Sequence, residues 1–261
     1  MLKKSVLLFL SSILLVSCDQ NTRPASAPAQ STPAQTPTAY TTVDPATAAT
    51  IHGTIHLTGS APAPVQIDMG QDPACQFASS QPNMSQQFVV NHGKLANVYV
   101  YVKQGLEGKN FAIPSEPVVL DQKGCRYQPH VLAMMAGQIL KIENSDPTMH
   151  NVHPSPKAPS NQEWNVSQMP KGEPVEKSFH DPEVMMTVQC NQHPWMKAYL
   201  NVAANPFYAI SDANGNFEIK GLPPGEYTIA AVHEKLGEQT QKITVGPKQS
   251  AEANFTFAVK P

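Results

Sequence analysis

The sequence contains few charged residues and no segment dominated by one sign of charge. Only 15% of the 261 residues are Asp, Glu, Lys or Arg, and the formal net charge is −2. This balance, with Lys and Arg scattered along the chain, argues against a nucleic-acid partner. The patterns of serine hydrolases (Gly-x-Ser-x-Gly), of P-loops and of zinc peptidases (His-Glu-x-x-His) are also absent. We therefore expect a protein that is not an enzyme.

Long apolar runs are scarce too. Val6–Val16 follows two lysines and is too short to span a bilayer comfortably, so residues 1–17 are interpreted as a signal peptide. The motif Leu15-Val16-Ser17-Cys18 resembles a bacterial lipobox. That resemblance implies a lipid on Cys18 and an exported, membrane-anchored lipoprotein facing the periplasm, with the membrane contacted through the lipid only. Asp19, directly after Cys18, resembles an inner-membrane retention signal, and that resemblance slightly favours the inner over the outer membrane.

Helical periodicity is nearly absent, and alternating β-type runs cut by Gly, Pro, Asn and Asp take its place. The sequence therefore predicts an all-β fold. Residues 18–48 are rich in Pro, Ala and Thr and poor in bulky apolar side chains, so we expect a disordered tether there.

Two short segments carry a group of potential metal ligands. Met149-His150-Asn151-Val152-His153 offers imidazoles, and Cys190-Asn191-Gln192-His193-Pro194-Trp195-Met196 offers a thiolate, an imidazole and a thioether. Sulfur ligands select copper or zinc, and two His, one Cys and a distant Met form the ligand set of blue-copper sites. Zinc is the main competitor on spacing alone, but Met is a poor zinc ligand.

These segments resemble those of small blue-copper proteins, the cupredoxins, and especially the amicyanin and pseudoazurin branch. The resemblance covers residues 115–203 and implies a Greek-key β-sandwich with one mononuclear type 1 copper. The implied copper ligands are His150, Cys190, His193 and Met196.

The same resemblance implies roles for neighbouring residues. Asn151 would brace the thiolate loop, and Pro194 would leave that loop with one backbone donor fewer. His153 would not be a ligand, and Trp195 would either cover the metal or simply pack. His193 would be the ligand nearest the surface. In cupredoxins the histidine ligand at this position often passes electrons into and out of the site.

A second resemblance involves the end of the chain. The turns in Ser211–Ile219 and Leu222–Ile229 resemble the carboxypeptidase regulatory-like, transthyretin-type β-sandwich. The opening strand of that family matches Gly53-Thr54-Ile55, far upstream. We therefore predict a split sandwich, with its first strands in residues 49–109 and its last in 205–261.

The copper domain, residues 110–204, would then be inserted into a loop of that sandwich. The alternative is a tandem arrangement in which residues 49–204 form one extended copper domain. Export implies an oxidising compartment, where disulfides persist. If Cys18 is acylated and Cys190 binds copper, Cys75 and Cys125 remain as a pair, which would tie the two domains together under insertion. The competing bridge, Cys125–Cys190, would remove the thiolate.

The cupredoxin resemblance implies one-electron transfer between periplasmic redox partners, such as a c-type cytochrome or a dehydrogenase. One alternative is a copper carrier or buffer that uses the same ligands. Another is a carbohydrate-binding or structural adhesion lipoprotein, for which the exposed aromatics would have to be Tyr99, Tyr101 and Tyr208.

Overall fold

The computed structural model describes residues 39–78 and 81–260, which form two packed β-sandwiches and one short helix. The prediction of an all-β chain with two sandwiches is confirmed. The predicted signal peptide, Cys18 and most of the predicted tether lie outside the described residues. Within the described part, no helix is long and apolar enough to cross a membrane.

The first half of the described chain contains one helix and nine strands. They are β1 (Ala49–Thr58), α1 (Pro73–Gln76), β2 (Val90–Asn91), β3 (Lys94–Leu95), β4 (Tyr99–Gln104), β5 (Val118–Gln122), β6 (Tyr127–Gln128), β7 (Val131–Met135), β8 (Leu140–Asn144) and β9 (His150–Ser155). The second half contains β10 (Val166–Gln168), β11 (Val175–Lys177), β12 (Glu183–Gln189), β13 (Lys197–Ala203), β14 (Tyr208–Ile210), β15 (Asn216–Leu222), β16 (Gly225–His233), β17 (Gly237–Val245), β18 (Ser250–Glu252) and β19 (Phe255–Ala258).

The first sandwich, called here the outer sandwich, combines strands from both ends of the described chain. One sheet has the order β15-β1-β3-β2, with β18 and β19 paired in parallel to β1, and the other has the order β14-β4-β16-β17. Side chains along β1 alternate between buried and more exposed positions, as expected for a strand with one face in a core. Both sheets contribute to one hydrophobic core that includes Ile51, Ile55, Val100, Ile229 and Phe257.

The second sandwich, called here the inner sandwich, is formed by residues 118–203. Its sheets have the orders β10-β9-β12-β13-β7 and β11-β8-β5-β6, and its core includes Leu120, Ile142, Met186, Val188 and Leu200. The chain leaves the outer sandwich after β4 and returns at β14, where the Val102 N–H donates to the Phe207 carbonyl at 3.0 Å. The strands that flank the inner sandwich in sequence are therefore neighbours in space.

Two sequence-based expectations differ from the structure. Residues 41–48 were assigned to the tether, but Val43 packs on the outer core and the Thr47 carbonyl accepts from the Lys248 N–H at 3.1 Å. Residues 49–109 do not belong wholly to the outer sandwich, because Met69 and Cys75 lie in the inner core.

A buried histidine lies at the end of β16 in the outer sandwich. His233 is 2% exposed, its ring lies 5.4 Å from that of Phe88, and its Nδ1 accepts from the Lys235 N–H. Burial lowers the pKa of His233 to about 4, although the nearby Glu234 acts in the opposite direction. His233 is therefore neutral in the folded protein near neutral pH.

We expect His233 to make the metal-free protein acid-sensitive. The unfolded chain takes up a proton on this residue near pH 6.5, whereas the folded chain does so only near pH 4. Stability should therefore fall by roughly 2 to 3 kcal/mol as the pH drops between these values, and be unaffected by this group above pH 6.5. Urea unfolding across this range should show a flatter profile for His233→Gln, with the surface variant His180→Gln as control. Equal profiles for all three proteins would contradict the expectation.

Candidate metal centre

Two loops at one end of the inner sandwich bring the predicted ligands together. His150 is the first residue of β9, and Cys190 directly follows β12, while His193 and Met196 precede β13. Backbone hydrogen bonds close the second loop: the Cys190 N–H donates to the Met196 carbonyl at 3.2 Å, and the Met196 N–H donates to the His193 carbonyl at 2.8 Å. The flanking paired strands hold both loops in place.

Three potential ligand atoms converge in the interior. His150 Nδ1 lies 2.9 Å from His193 Nδ1, and Cys190 Sγ lies 3.6 Å from His193 Nδ1. His150, Cys190 and His193 offer ligand atoms that all lie within 4.8 Å of one another, and all three residues are buried. Met196 is 1% exposed and packs in the same core as Cys190. The structure thus brings donor atoms of His150, Cys190 and His193 together, and the Met196 backbone is hydrogen-bonded to those of Cys190 and His193.

A carboxylate that the sequence analysis missed holds the outer nitrogen of His150. Asp146 Oδ2 lies 2.9 Å from His150 Nε2, and the two carboxylate oxygens accept from the N–H groups of Gly124 and Cys125 at 2.6 and 2.7 Å. Burial alone would raise the pKa of Asp146, but these hydrogen bonds outweigh it and lower the pKa. An ionised Asp146 accepts a hydrogen bond from His150 Nε2, so Nδ1 is the nitrogen that faces the interior of the site.

A second missed carboxylate does the same for His193. Asp72, the N-cap of α1, places Oδ2 at 3.0 Å from His193 Nε2, and its Oδ1 accepts from the Ala74 N–H at 2.8 Å. Thr148 Oγ1 donates to Asp72 Oδ2 at 3.1 Å. The hydrogen bond with His193 lowers the pKa of Asp72. The sequence Asp72-Pro73 is a helix-start signal, but it does not reveal which side chain the carboxylate meets.

His193 was expected to be the ligand nearest the surface. It is the most exposed of the four predicted ligands, but its exposed fraction is only 4%, against 3% for Cys190, 1% for Met196 and 0% for His150. Asp72 covers its Nε2 edge, and Trp195 packs beside it with a ring distance of 5.2 Å. The resemblance could not predict the contact with Asp72, because Asp72 lies outside residues 115–203, which carry it.

The environment of Cys190 favours the thiolate. Burial raises the pKa of Cys190, but a hydrogen bond with His150 and hydrogen bonds from the backbone near Asn151, Gln192 and His193 lower it to about 6. The partner imidazole responds in the opposite sense. Burial lowers the pKa of His150, but its contacts with Asp146 and Cys190 raise it to about 8. In the metal-free protein near neutral pH, the proton between these two groups therefore lies on His150, and Cys190 is a thiolate.

The supporting residues lie where they can fix the loops. Asn151 Oδ1 accepts from the Asn191 N–H at 2.8 Å and lies 3.2 Å from Cys190 Sγ, while its amide donates to Asn165 Oδ1 at 2.7 Å. Pro194 occupies the turn between His193 and Trp195. The Trp195 indole donates to the Cys125 carbonyl at 3.1 Å, so it links the ligand loop to the disulfide.

The other cysteines and histidines considered in the sequence analysis have partners of their own. Cys75 and Cys125 form a disulfide, whereas Cys190 is a buried free thiol, so the competing Cys125–Cys190 bridge is not formed. His153 is directed away, toward Asn191 Oδ1 at 3.1 Å and Glu163 Oε1 at 2.5 Å. His130 pairs with Glu234 at 2.6 Å where the two sandwiches meet.

The aromatic residues considered for carbohydrate binding do not form an exposed row. Tyr99 is 1% exposed and stacks on Tyr101 with a centroid distance of 4.7 Å, while Tyr101 and Tyr208 are partly buried. Sugar-binding platforms need an accessible ring face, which Tyr99 does not offer.

The family model of the carboxypeptidase regulatory-like domain matches residues 194–258. Similar solved structures include a mutant of amicyanin in the Cu(I) form (18% identity, TM-score 0.29, covering 35% of this chain and 86% of that chain). A purple cupredoxin from Nitrosopumilus maritimus is also similar (18% identity, TM-score 0.28, covering 34% of this chain and 100% of that chain). A third similar structure is a copper-containing nitrite reductase (NirK) from Thermus scotoductus SA-01 (20% identity, TM-score 0.31, covering 38% of this chain and 25% of that chain). This chain therefore spans about a quarter of the length of that reductase. No curated protein matches.

Proposed function

We propose that this protein binds one copper ion in a mononuclear type 1 site and transfers single electrons. One observation carries the proposal. Asp146 and Asp72 each contact the outer Nε2 of one imidazole, so that the inner Nδ1 atoms of His150 and His193 face each other at 2.9 Å beside Cys190. In the metal-free protein these inner atoms hold a proton, and a bound cation would take its place, because metal binding to His and Cys releases protons.

The donor set fits copper. Two imidazoles and one thiolate with a nearby thioether form a blue-copper ligand set, and Met196 is a poor choice for a zinc site. A copper ion bound there would supply one-electron chemistry by alternating between Cu(II) and Cu(I). The supporting side chains keep His150 and His193 in one orientation, and the low exposure of the site excludes water. A fixed, dry ligand set needs little rearrangement when charge changes.

The proposal extends to where the protein works. The lipobox-like residues 15–18 support an exported lipoprotein that faces the periplasm. Redox partners there would be proteins such as a c-type cytochrome or a dehydrogenase. The outer sandwich would serve as a structural or docking module.

The test is the visible absorption and EPR spectrum of the full chain loaded with Cu(II). We expect an intense blue thiolate-to-copper band with narrow copper hyperfine splitting, and Cys190→Ser should abolish both. His153→Ala is the matched control, since His153 lies on the same strand as His150 but faces Glu163, and it should keep the wild-type spectrum. A pale tetragonal signal, or a blue band that survives in Cys190→Ser, would overturn the proposal.

A further inference from the structure

A segment of the polypeptide from outside the inner sandwich lies over the His193 edge of the site. This cover segment comprises residues 66–78 and 81–84. Its two ends are held together, because the Ile67 N–H donates to the Asn83 carbonyl at 2.8 Å and Gln66 forms a β-bridge with Met84. Met69 and Cys75 pack into the inner core.

The Cys75–Cys125 disulfide anchors this cover to the inner sandwich. Both ends of the bridge lie close to the candidate site. Cys75 groups with Asp72 and His193, and Cys125 groups with Asp146 and His150, each set with its ligand atoms within 4.8 Å of one another. The disulfide therefore fixes the cover directly against the outer side of both imidazoles.

Asp72 is the residue through which the cover touches a proposed ligand. Its carboxylate is held by Ala74 and Thr148, and these contacts leave Oδ2 directed at His193 Nε2. The position is partly shielded, since the Asp72 side chain is 23% exposed and that of His193 is 5% exposed. A hydrogen bond of this kind fixes the ring rotation of an imidazole and raises its basicity as a ligand.

We propose that Asp72, carried by the disulfide-anchored cover segment, is a positioning residue that orients His193 for copper and shields its outer edge from water. The first role, the orientation of His193 for copper, rests on the proposed copper function. The second role, the shielding of His193 from water, is a property of the chain itself and holds with or without metal. Because the outer edge of the His193 imidazole is covered, electrons would then leave the site by a different route.

The copper-dependent consequences follow from the charge of Asp72. A carboxylate on the outer nitrogen makes the imidazole a better donor, which favours Cu(II) over Cu(I). Asp72→Asn keeps an N-cap side chain for α1 and removes the charge. We expect about 10-fold weaker Cu(II) binding in chelator competition, a raised reduction potential, and a blue band that is retained. Asp68→Asn is the matched control, because Asp68 lies in the same segment and its Oδ1 accepts only the Gly70 N–H among the described contacts.

The shielding is tested without metal. In the apoprotein, modification of His193 by diethyl pyrocarbonate, located by peptide mass spectrometry, should be slow in the wild type and in Asp68→Asn. It should be at least several-fold faster in Asp72→Ala, which removes the covering side chain, and in the double variant Cys75→Ser/Cys125→Ser. If the double variant does not fold, Asp72→Ala alone decides.

The outcomes separate this inference from the proposed function. If the wild type gives no blue spectrum, the copper proposal fails, and the His193 modification rates still judge the shielding. If the wild type is blue but Asp72→Asn matches it in copper affinity and reduction potential, and Asp72→Ala matches it in modification rate, the copper proposal survives and this inference is wrong.

Discussion

Gly53→Ala is expected to lower the free energy of unfolding by more than about 3 kcal/mol, near or beyond the upper end of the usual cost of overpacking. Gly53 lies in the middle of β1, opposite Phe217 of β15. A Cβ there would stand 2.0 Å from the Ala253 carbonyl oxygen and 2.9 Å from the Phe217 ring. The first of these atoms belongs to the backbone and cannot rotate away, so the last strands would have to separate from β1. Urea unfolding followed by circular dichroism measures the loss.

Gly246→Ala is the matched control for this change. Gly246 also lies in the outer sandwich region, but the nearest atom to a Cβ there is the side-chain oxygen of Gln249 at 3.4 Å, an ordinary contact distance. This variant should stay within about 0.5 kcal/mol of the wild type. A similar stability for both glycine variants would show that β1 and the 253 region do not pack as closely as described.

Asp146→Ala is expected to cost about 3 to 5 kcal/mol in the metal-free protein, the usual loss when a buried ion pair loses one partner. The change leaves the N–H groups of Gly124 and Cys125 without their acceptor and removes the partner of His150 Nε2. Uncompensated buried donors carry the full cost of desolvation. The measurement is again equilibrium unfolding in urea, at neutral pH and with a chelator present.

Asp121→Ala serves as the comparison for this second change. Asp121 lies in β5 close to the same turn, but its carboxylate accepts from Ser145 at the surface. We expect a loss below about 1 kcal/mol. Equal losses for the two aspartates would mean that the contacts of Asp146 with the loop of the disulfide contribute little.

Local sequence patterns predicted the ligand loops and the opening strand of the outer sandwich correctly in position. Gly53-Thr54-Ile55 lies in β1, and the turn predicted in Ser211–Ile219 contains Gly215 with a φ of 70°. Short strands such as β2, β3 and β18 were not predicted, because two or three residues are too few to show a period. Their pairing is decided by neighbouring strands and not by their own sequence.

The two carboxylates of the candidate site show why its outer half was not predicted. Asp146 is only four residues before His150, but no helix links them. The turn that aligns them depends on Asn144, whose side chain accepts from the Asp146 N–H and donates to the Thr148 carbonyl. Asp72 is 121 residues from His193 and reaches it only through the fold. Patterns along the chain reveal ligands that share a loop, whereas contacts between distant segments require the structure.

The position of β1 affects the order in which the protein can form during synthesis. The N–H of Thr54 in β1 donates a hydrogen bond to Oδ1 of Asn254, which lies 200 residues later along the chain. β1 is therefore made early but must remain unpaired on that side until nearly the whole chain has left the ribosome. The strands of residues 118–203 pair only among themselves and can form before then. Because contacts between distant residues form slowly, closing the outer sandwich is expected to be the late step, and β1 stays open to wrong partners until it is complete.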